Sequence, residues 1–560
     1  MKLVECVPNF SEGRDPSKIS AITRAIEAVP GIKLLDVDPG ETTNRTVVTF
    51  VGSPEAAAEA AFQAIRKAAE VIDMRSHKGA HSRLGATDVC PFVPLAGVSM
   101  EECVALAHAL GRRVGAELGL PVYFYEEAAL RPERRNLAAV RQGEYEGLAE
   151  KLKDPAGAPD CGPAVFHPTS GATIIGAREF LIAYNINLNT RDRRLASEIA
   201  LNIRESGRAL RDKAGLILRD ADGNPRKVPG RFPFVKAVGW YIEDYGLAQI
   251  SINFTNYKVT PIHVVFDDVR SQASALGLRV TGSELVGLIP KEALLQAGRY
   301  YLERQGKSPG VPESELIRTA VVSLGLNDVV PFEARKKVIE YQVEETRAKL
   351  IRMDLRAFVD ELSMDSPTPG GGSVAAYCGA LSAGLSAMVA NLTVGKKGYE
   401  RFWAELSRTA SEAQTLKDAY LRYVDLDTAA FNKVMDAGRL PKTTEEQSRL
   451  RDAALEDATR EATRIPFEVL KNCQALLRLS LSAAKRGNRN SLSDAGVAAL
   501  AARAAADGAY YNVRINLPGL KDEAYKAAVA KEAFDLRRAV RRLAAAVHKR
   551  VEKELANMTE

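Results

Sequence analysis

The fold is decided by residues 33–71, which read KLLDVDPGETTNRTVVTFVGSPEAAAEAAFQAIRKAAEV. Lys33–Val37 follows a Pro-Gly turn and Arg45–Val51 is rich in β-branched residues, so the two segments predict a pair of neighbouring strands. Pro54–Val71 is rich in alanine, the residue with the highest helix propensity, and predicts a helix. Two strands followed by a helix form the centre of an α/β unit.

The segments on either side complete this unit. Leu3–Val7 predicts a buried strand, Ser17–Ala28 has isoleucines at helical spacing, and Asp88–Leu95 is a further apolar strand. The resulting order, β-α-β-β-α-β, is the split βαβ arrangement of ferredoxin-like folds. A helix at Met100–Leu118 and a strand at Pro121–Tyr125 extend the unit.

The same order recurs in the next part of the chain without any repeat of the sequence itself. The predicted elements are a strand at Glu179–Leu188, a helix at Arg191–Ser206, strands at Phe234–Ile242 and Ala248–Phe254, a helix at Val264–Leu276 and a short strand near Leu285–Leu288. The segment Asp212–Pro229 is rich in charge, glycine and proline and predicts a mobile loop inside this second unit.

From about Leu355 the composition becomes helical and remains so to Glu560, apart from a weak strand signal around Asn512–Asn516. We therefore predict a multidomain protein with two α/β (β-α-β-β-α-β, ferredoxin-like) subdomains followed by an all-α helical bundle. The predicted boundaries are 1–179 and 180–343 for the two subdomains, 344–353 for a linker and 354–560 for the bundle.

Composition excludes several classes of protein. The chain has 560 residues, of which 46% are hydrophobic and 26% charged, and 77 basic side chains oppose 71 acidic ones. This composition is typical of a globular protein, and basic residues do not cluster with aromatics as in a nucleic-acid-binding surface. Six scattered cysteines indicate reduced thiols and a cytoplasmic protein. Glu5 interrupts the first apolar run, so we expect no signal peptide.

The 30 residues between Asp365 and Lys396 carry no charge, which raises the question of a membrane span. The stretch opens with prolines and Gly370-Gly371-Gly372 and continues with small residues rather than large apolar ones. We therefore expect a buried, closely packed helix and no contact with a membrane.

Two of the six histidines, His77 and His81, lie in the segment 75–94. Histidines four residues apart on a helix suggest a metal pair, but Gly79 lies between them and a third ligand is missing nearby. Either histidine could exchange protons near neutral pH, because the ordinary pKa of histidine is about 6.5. A loop histidine bonded only to backbone fits the spacing equally well.

Two glycine-containing segments could bind a ligand through backbone N–H groups. The segment 160–173 contains Gly162, His167 and Gly171, and it could equally be a plain linker. Gly370-Gly371-Gly372 opens a helix and could bind an anion at the helix N-terminus, or it could be a tight turn between helices. The lysine of a P-loop is missing from the second segment, which argues against a nucleotide phosphate.

Asp425 and Asp427 lie two residues apart in a predicted helix and therefore point in different directions. Asp427 shares its face with Tyr423, Val424 and Phe431, so it lies on the apolar stripe. A buried carboxyl tends to have a raised pKa and can act as an acid, although it can also be a structural group with hydrogen-bonded neighbours.

Together these segments resemble one enzyme family along the whole chain. The N-terminal motifs are similar to those of glutamate formimidoyltransferase, and the bundle motifs are similar to those of formimidoyltetrahydrofolate cyclodeaminase. The matching motifs are residues 4–13, 35–38, 44–46 and 77–94 in the first half, and 369–375, 424–427 and 489–497 in the second. The chain thus resembles the bifunctional formimidoyltransferase-cyclodeaminase family.

The resemblance implies two reactions of histidine breakdown. A formimidoyl group moves from N-formimidoyl-L-glutamate to N5 of tetrahydrofolate. The 5-formimidoyltetrahydrofolate then cyclises to 5,10-methenyltetrahydrofolate as N10 attacks and ammonia leaves.

The resemblance also implies the residues that act. His81 is the expected acid/base of the transferase, Asp38 is an acid that would orient it, and Asp427 is the expected acid of the cyclodeaminase. The expected folate-binding residues are Gly162, Pro163, Ala164, Val165, Phe166, His167, Pro168, Thr169, Ser170 and Gly171, together with Gly230, Arg231, Phe232, Pro233, Phe234, Val235, Lys236, Ala237, Val238 and Gly239. The expected cyclodeaminase site adds Pro369, Gly370, Gly371, Gly372, Ser373 and Asp494.

The family further implies polyglutamylated tetrahydrofolate as co-substrate, no metal, and a homo-oligomer that passes folate between sites. Neither a nucleic acid nor a membrane is expected as a partner. Three alternatives remain open at this point: a transferase that uses formylglutamate, a bundle that acts as methenyltetrahydrofolate cyclohydrolase, and a folate-binding scaffold with inactive sites.

Overall fold

The computed structural model of the chain describes residues 2–41, 43–79, 81–220, 223–243, 245–343 and 350–559, with residues 558 and 559 described by their backbone alone. The chain forms two compact units. One comprises Met1–Leu294 with Leu324–Glu344, and the other comprises Leu295–Ser323 with Glu345–Glu560. Residues 295–323 thus group with the helical unit, although the predicted boundary put them in the α/β half. Most of the predicted linker 344–353 lies outside the described residues.

The α/β part contains thirteen described strands and eleven described helices, of which α8 and α9 contribute residues to both compact units. The strands are β1 Leu3–Cys6, β2 Asn9–Phe10, β3 Lys33–Gly40, β4 Arg45–Gly52, β5 Thr87–Ala96, β6 Val122–Glu126, β7 Thr173–Ala177, β8 Ile182–Leu188, β9 Arg208–Ala209, β10 Lys227–Val228, β11 Val235–Ile242, β12 Leu247–Phe254 and β13 Val280–Val286. The helices are α1 Pro16–Glu27, α2 Pro54–Val71, α3 Met100–Glu117, α4 Leu137–Val140, α5 Glu144–Lys151, α6 Arg193–Ile203, α7 Ile262–Ala275, α8 Lys291–Arg304, α9 Glu313–Leu324, α10 Ala334–Lys337 and α11 Ile339–Val343.

The first sheet has seven strands. β4 and β5 flank β1 and β2 with antiparallel pairing, β3 pairs with β4, and β7 and β6 continue beyond β5 in parallel. Alternation along β4 sends Val48 and Phe50 into the core formed with α1, α2 and α3, and it sends Arg45, Val47 and Thr49 to the opposite face. That opposite face forms the wall of a cavity.

The second sheet has the order β11-β12-β8-β13 and is antiparallel throughout. With α6 after β8 and α7 after β12, this is the ferredoxin-like order of strands. The predicted fold of two such subdomains followed by a helical region is therefore confirmed.

The helical part begins with a short 3-10 helix at Leu350–Arg352 and contains six described α-helices. They are α12 Leu355–Leu362, α13 Gly371–Asn391, α14 Trp403–Gly438, α15 Glu445–Arg486, α16 Leu492–Asn516 and α17 Glu523–Thr559. The small residues of α13 and α16, mostly alanine and glycine, allow close packing in a common core with α14, α15 and α17. A capping box at Thr444 and Gln447 starts α15.

Three predictions differ from the structure. Thr173–Ala177 forms β7 in the first sheet, and the strand predicted from Glu179 begins only at Ile182. The weak strand signal at Asn512–Asn516 is wrong, because these residues continue α16, where packing against neighbouring helices overrides the local preference. The predicted loop 212–229 includes β10, which pairs with β9, and its described residues also form isolated bridges at Ile217, Arg219 and Pro225.

The uncharged stretch forms α13. This helix is long and apolar enough to cross a membrane by length and composition alone, but 61% of its most apolar window is buried inside the protein. The burial supports the interpretation as a packed helix of the bundle.

Candidate active sites

The first candidate site lies in the α/β unit and contains His77 and His81. The two histidines differ in which of their ring nitrogens have hydrogen-bond partners. His77 Nε2 lies 2.9 Å from the carbonyl of Asn44, and His77 Nδ1 accepts a hydrogen bond from Arg83 Nε at 3.2 Å. His81 Nδ1 is also occupied, whereas His81 Nε2 has no hydrogen-bond partner among the described residues. His77 is therefore held as a structural group, and His81 has one nitrogen available for chemistry.

Cationic side chains surround His81. Arg45 Nη1 lies 2.8 Å from His81 Nδ1 and 2.8 Å from Asp88 Oδ2, and Arg45 Nη2 donates to Asn9 Oδ1 at 2.6 Å. Arg141 contacts the same Asp88 carboxylate. Burial and the charge of Arg45 lower the pKa of His81 below its ordinary value of 6.5. His81 is therefore neutral at pH 7.

The hydrogen bonds at His81 determine which nitrogen can act as a base. The carbonyl of Ser82, 2.6 Å from Nδ1, can only accept a hydrogen bond there, whereas Arg45 Nη1 at 2.8 Å can only donate one, so the two contacts favour opposite tautomers. In the tautomer that the Ser82 contact favours, the proton is on Nδ1 and Nε2 carries the lone pair. A neutral imidazole in this form accepts a proton from a bound substrate.

The prediction that Asp38 orients His81 is not supported. Among the described residues Asp38 makes no hydrogen bond to His81, whose Nδ1 atom contacts Arg45 and Ser82 instead. Asp38 lies instead in the cavity wall, paired across the strands with Val47. The carboxylate that acts on His81 is Asp88, through Arg45.

A cavity of about 330 Å³ lies against the open face of the first sheet. Its wall combines three acids, three arginines and an apolar middle, and part of it comes from the second subdomain. The lining residues are Glu5, Val7, Asn9, Asp36, Asp38, Arg45, Val47, Thr49, Val89, Pro91, Tyr125, Leu137, Arg141, Arg178, Phe180, Leu181, Ala183, Val286, Gly287 and Leu288. Arginines at the wall suit carboxylates, and the apolar middle suits a ring system.

The first predicted folate loop, 162–171, is anchored on the His77 segment. Met74 N donates to Thr169 O at 2.9 Å, and Ala86 N donates to Ser170 O at 2.8 Å. Phe166 packs against Tyr145 with ring centroids 5.4 Å apart, while Val165 is exposed. The loop therefore has a fixed base and an exposed tip, which lies where a ligand can reach it.

The second predicted folate segment, 230–239, is mostly the edge strand β11. Gly239 packs so closely on α6 that a Cβ would overlap the backbone at Ser197. Lys236 is exposed on this edge. Burial of Glu126 raises the pKa of its carboxyl group, and the positive charge of Lys236 opposes this rise. Among the described residues this segment makes no hydrogen bond to the loop 162–171.

The second candidate site lies in the helical unit, where α13 begins beside α14. Gly372 approaches Asp427 so closely that a Cβ at position 372 would overlap the Asp427 carboxyl group. Leu350 N donates to Asp425 Oδ1 at 2.9 Å, so Asp425 holds the chain at the start of the bundle. The prediction that the two aspartates face different surroundings agrees with these contacts.

Asp427 is half-buried, and burial raises its pKa to about 6. Hydrogen bonds from the hydroxyl and the backbone N–H of Ser373 oppose this rise. Ser373 Oγ lies 2.8 Å from Val424 O and 3.4 Å from Asp427 Oδ2. The Asp427 carboxyl therefore holds its proton at higher pH than an ordinary aspartate, which suits a general acid.

Asp494 does not join this site within one chain. Gly371 lies beside Asn512, near the end of α16, whereas Asp494 is in the first turn of that helix. Eighteen residues of helix separate the two positions by about 27 Å. Asn488 N, just before α16, donates to Thr393 Oγ1 beyond the far end of α13. The prediction that groups Asp494 with Pro369–Ser373 is corrected by this antiparallel packing.

Sequence reasoning missed the arginines and the acid that surround His81. Arg45 and Asp88 both belong to the motifs that carry the resemblance, but their spacing gives no sign that they meet. Arg141 lies just after the short helix α4, in a segment without any recognisable motif. No group of three His, Cys, Asp or Glu side chains in the described part of the chain is placed to hold a metal ion.

The fold consists of two ferredoxin-like subdomains and a helical bundle, and each half contains a candidate acid/base group. The protein is therefore of a two-part class with two separate candidate sites. Family models match all three segments. "Formiminotransferase domain, N-terminal subdomain" matches residues 3–178, "Formiminotransferase domain" matches 183–344, and "Formiminotransferase-cyclodeaminase" matches 354–535.

Relatives match the whole chain and each half. The formimidoyltransferase-cyclodeaminase of Rattus norvegicus is 44% identical over 94% of both chains. A glutamate formimidoyltransferase of Thermoplasma acidophilum is 46% identical over 55% of this chain and 95% of its own. A methenyltetrahydrofolate cyclohydrolase of Methylorubrum extorquens is 39% identical over 32% of this chain and 86% of its own. The chain belongs to the formimidoyltransferase-cyclodeaminase family and is an enzyme.

Proposed function

We propose that the chain catalyses two consecutive folate reactions. It transfers the formimidoyl group of N-formimidoyl-L-glutamate to tetrahydrofolate, and it then converts 5-formimidoyltetrahydrofolate to 5,10-methenyltetrahydrofolate with release of ammonia. The observation that carries the proposal is that each half holds one proton-transfer group whose pKa is shifted in the direction that its reaction needs. His81 is neutral with a free Nε2, and the pKa of Asp427 is raised to about 6.

In the first reaction, N5 of tetrahydrofolate attacks the formimidoyl carbon and must lose a proton. His81 Nε2 accepts this proton and returns it to the departing nitrogen of glutamate. One imidazole thus serves both steps, and such acid–base catalysis contributes typically about 10²–10⁴-fold. Arg45 and Arg141 are the cations closest to this histidine, and they suit the carboxylates of a glutamate donor.

In the second reaction, N10 attacks the same carbon and ammonia leaves from the tetrahedral intermediate. The departing amino group must be protonated, and Asp427 supplies the proton. Gly372 is needed because no side chain fits beside the Asp427 carboxyl group. Backbone N–H groups at the start of α13 face the same space.

The remaining expectations extend the proposal. Exposed Lys236 suits the carboxylates of a polyglutamylated folate tail. All six cysteines are free, which favours the reducing cytoplasm. Exposed apolar side chains on and just after α13 and on α16 suit contact with a second copy in a homo-oligomer; they are Leu381, Met388, Leu392, Val497 and Leu500. The mechanism requires no metal at either site.

The test supplies the purified chain with N-formimidoyl-L-glutamate and tetrahydrofolate, and it follows glutamate, ammonia and the absorbance of the methenyl product. We expect all three to appear. His81→Ala should abolish glutamate release, and Asp427→Asn should leave it intact while abolishing ammonia release. Transfer without ammonia in the unmodified protein would contradict the second activity, and absence of transfer would contradict the first.

The partial relative named as a cyclohydrolase raises the question of that activity for the bundle. The full-length relative carries the bifunctional name over 94% of the chain, which favours the cyclodeaminase. A formyl donor and an inactive folate scaffold receive no support from the comparisons. Replacing the donor by N-formyl-L-glutamate in the same assay tests the formyl-donor alternative directly.

A further inference from the structure

Glu5 occupies an unusual place in the first sheet. It lies in the middle of β1, opposite Val51 of β4 and Val93 of β5. Its neighbours Val4 and Cys6 point into the core, so Glu5 points to the other face, where it lines the cavity. A carboxyl group thus projects from a central strand into the cavity next to the proposed transferase site.

Glu5 is only 3% exposed and makes no hydrogen bond to any described residue. Burial raises its pKa to about 8, and the positive charge of Arg178 only partly opposes this rise. A carboxyl this deeply buried destabilises a fold, because it keeps few of its interactions with water and no donor in the described part of the chain replaces them. Such a group in a cavity wall is explained if a bound ligand supplies the missing donors.

The position of Glu5 relative to His81 limits what this ligand can be. Glu5 pairs with Val51 and Asn9 pairs with Val47 of the same strand, so the two are separated by about 13 Å along β4. Asn9 binds Arg45, which contacts His81. The cavity therefore has a reacting end at Arg45 and a carboxyl end at Glu5.

The wall between the two ends has an apolar strip, with Asp36 and Asp38 of β3 along one side of it. Val7, Val47, Val89 and Pro91 line it, which suits a flat ring better than a flexible, charged amino acid. A planar heterocycle with adjacent N–H donors at one edge and its reacting nitrogen toward the other end fits this arrangement. The 2-amino-4-oxopyrimidine ring of tetrahydropterin has that pattern, with N5 on the far side.

We propose that Glu5 binds the pterin ring of tetrahydrofolate in the transferase reaction. On binding, the Glu5 carboxyl releases its proton to solvent, and the carboxylate accepts hydrogen bonds from the 2-amino group and N3–H, which stabilise the charged form. This inference rests on the proposed function of the first half. The contact orients the ring so that N5 faces His81, and the glutamate donor binds at the arginine end. Glu5 is thus a substrate-binding residue and transfers no proton to or from the substrate.

The test measures steady-state glutamate release in the full-length chain for Glu5→Met and Glu5→Gln. Methionine is similar in size and removes both acceptors, so we expect the KM for tetrahydrofolate to rise about 10- to 100-fold. The KM for N-formimidoyl-L-glutamate should change less than twofold. Glutamine retains one acceptor and should give an intermediate effect.

A folate fragment without the pterin supplies the second measurement. Inhibition of the transferase by p-aminobenzoyl-glutamate should be equal in the unmodified chain and in Glu5→Met, because this fragment cannot contact Glu5. The matched control is Glu70→Gln, which makes the same chemical change on the exposed surface of α2. It should leave both KM values unchanged.

The outcomes separate this inference from the function on which it rests. If the unmodified chain releases no glutamate, the proposed transferase itself fails. If it does, and Glu5→Met keeps its KM for tetrahydrofolate, the pterin contact is wrong. An equal rise in the KM for the glutamate donor would overturn the assignment in favour of amidine recognition by Glu5.

Discussion

The two candidate sites use burial for opposite purposes. His81 lies in the α/β unit beside Arg45, where burial and positive charge lower its pKa and keep it neutral. Asp427 lies in the helical unit beside Gly372, where burial raises its pKa to about 6 and keeps part of it protonated. In both sites burial favours the uncharged form, which is a base for histidine and an acid for aspartate.

The largest expected effect is the loss of the transferase activity without loss of the cyclodeaminase activity. His81→Ala should lower kcat for the transferase by about 10²–10⁴-fold, because the proton acceptor is removed. The cyclodeaminase, measured with 5-formimidoyltetrahydrofolate, should be unchanged. His77→Gln serves as a control, since it tests a histidine whose nitrogens only hold the loop. Loss of both activities in His81→Ala would show that the comparison of independent sites is wrong.

A single methyl group added at position 372 should impair the second site alone. Gly372→Ala places a Cβ where the Asp427 carboxyl lies, so the carboxyl must move. A displacement of about 1 Å can reduce a rate about 10²-fold, and we expect a loss of that order in ammonia release. Gly384→Ala, in the same helix but with open space at its Cβ position, is the matched control. Normal activity of Gly372→Ala would exclude Asp427 as the acid.

The pH profiles should move in opposite directions. The transferase requires unprotonated His81, so its rate should rise with pH to a plateau, with the midpoint of the rise below the ordinary histidine pKa of about 6.5. The cyclodeaminase requires protonated Asp427, so its rate should fall above pH 6, approaching tenfold per pH unit. Separate rate measurements between pH 5 and 9 test this. Parallel profiles would contradict the assigned roles.

The last expected effect concerns the free energy of unfolding rather than a rate. Glu5 keeps its proton in the folded state up to about pH 8, whereas the unfolded chain releases it near pH 4.5. Stability of the unmodified protein is therefore lost as pH rises from 5 to 8, by up to roughly 1.4 kcal/mol per pH unit. Glu5→Gln removes this loss, so its Tm should exceed that of the unmodified chain, and the difference should grow over this range. Calorimetry without folate measures it.

The order of elements in both ferredoxin-like subdomains could be predicted because hydrophobic periodicity is a local property. Pro54–Val71 forms a helix with the predicted bounds, and the strands near Arg45 and Asp88 differ by a residue or two. The strand Thr173–Ala177 was missed because it is short and buried on both faces. Asn512–Asn516 was misinterpreted because its local preference gives way to packing in α16.

The candidate sites, like the fold, could be predicted from the sequence only in part. Motifs identified His81 and Asp427 as candidates, and helix spacing placed Asp427 on the apolar face. They also suggested Asp38 as the partner of His81 and Asp494 as a neighbour of Asp427, and the structure supports neither. Contacts between residues distant in the chain depend on how strands and helices pack, which spacing does not encode.

The sequence by itself determined the family, the two subdomains with their bundle, and the chemical identity of the candidate residues. Only the tertiary structure decided which histidine has a free nitrogen, that Arg45 and Asp88 meet at His81, and that Glu5 faces a cavity without a partner. The physical reason is that composition and periodicity are local, whereas a pKa and a hydrogen bond depend on groups that only folding brings together.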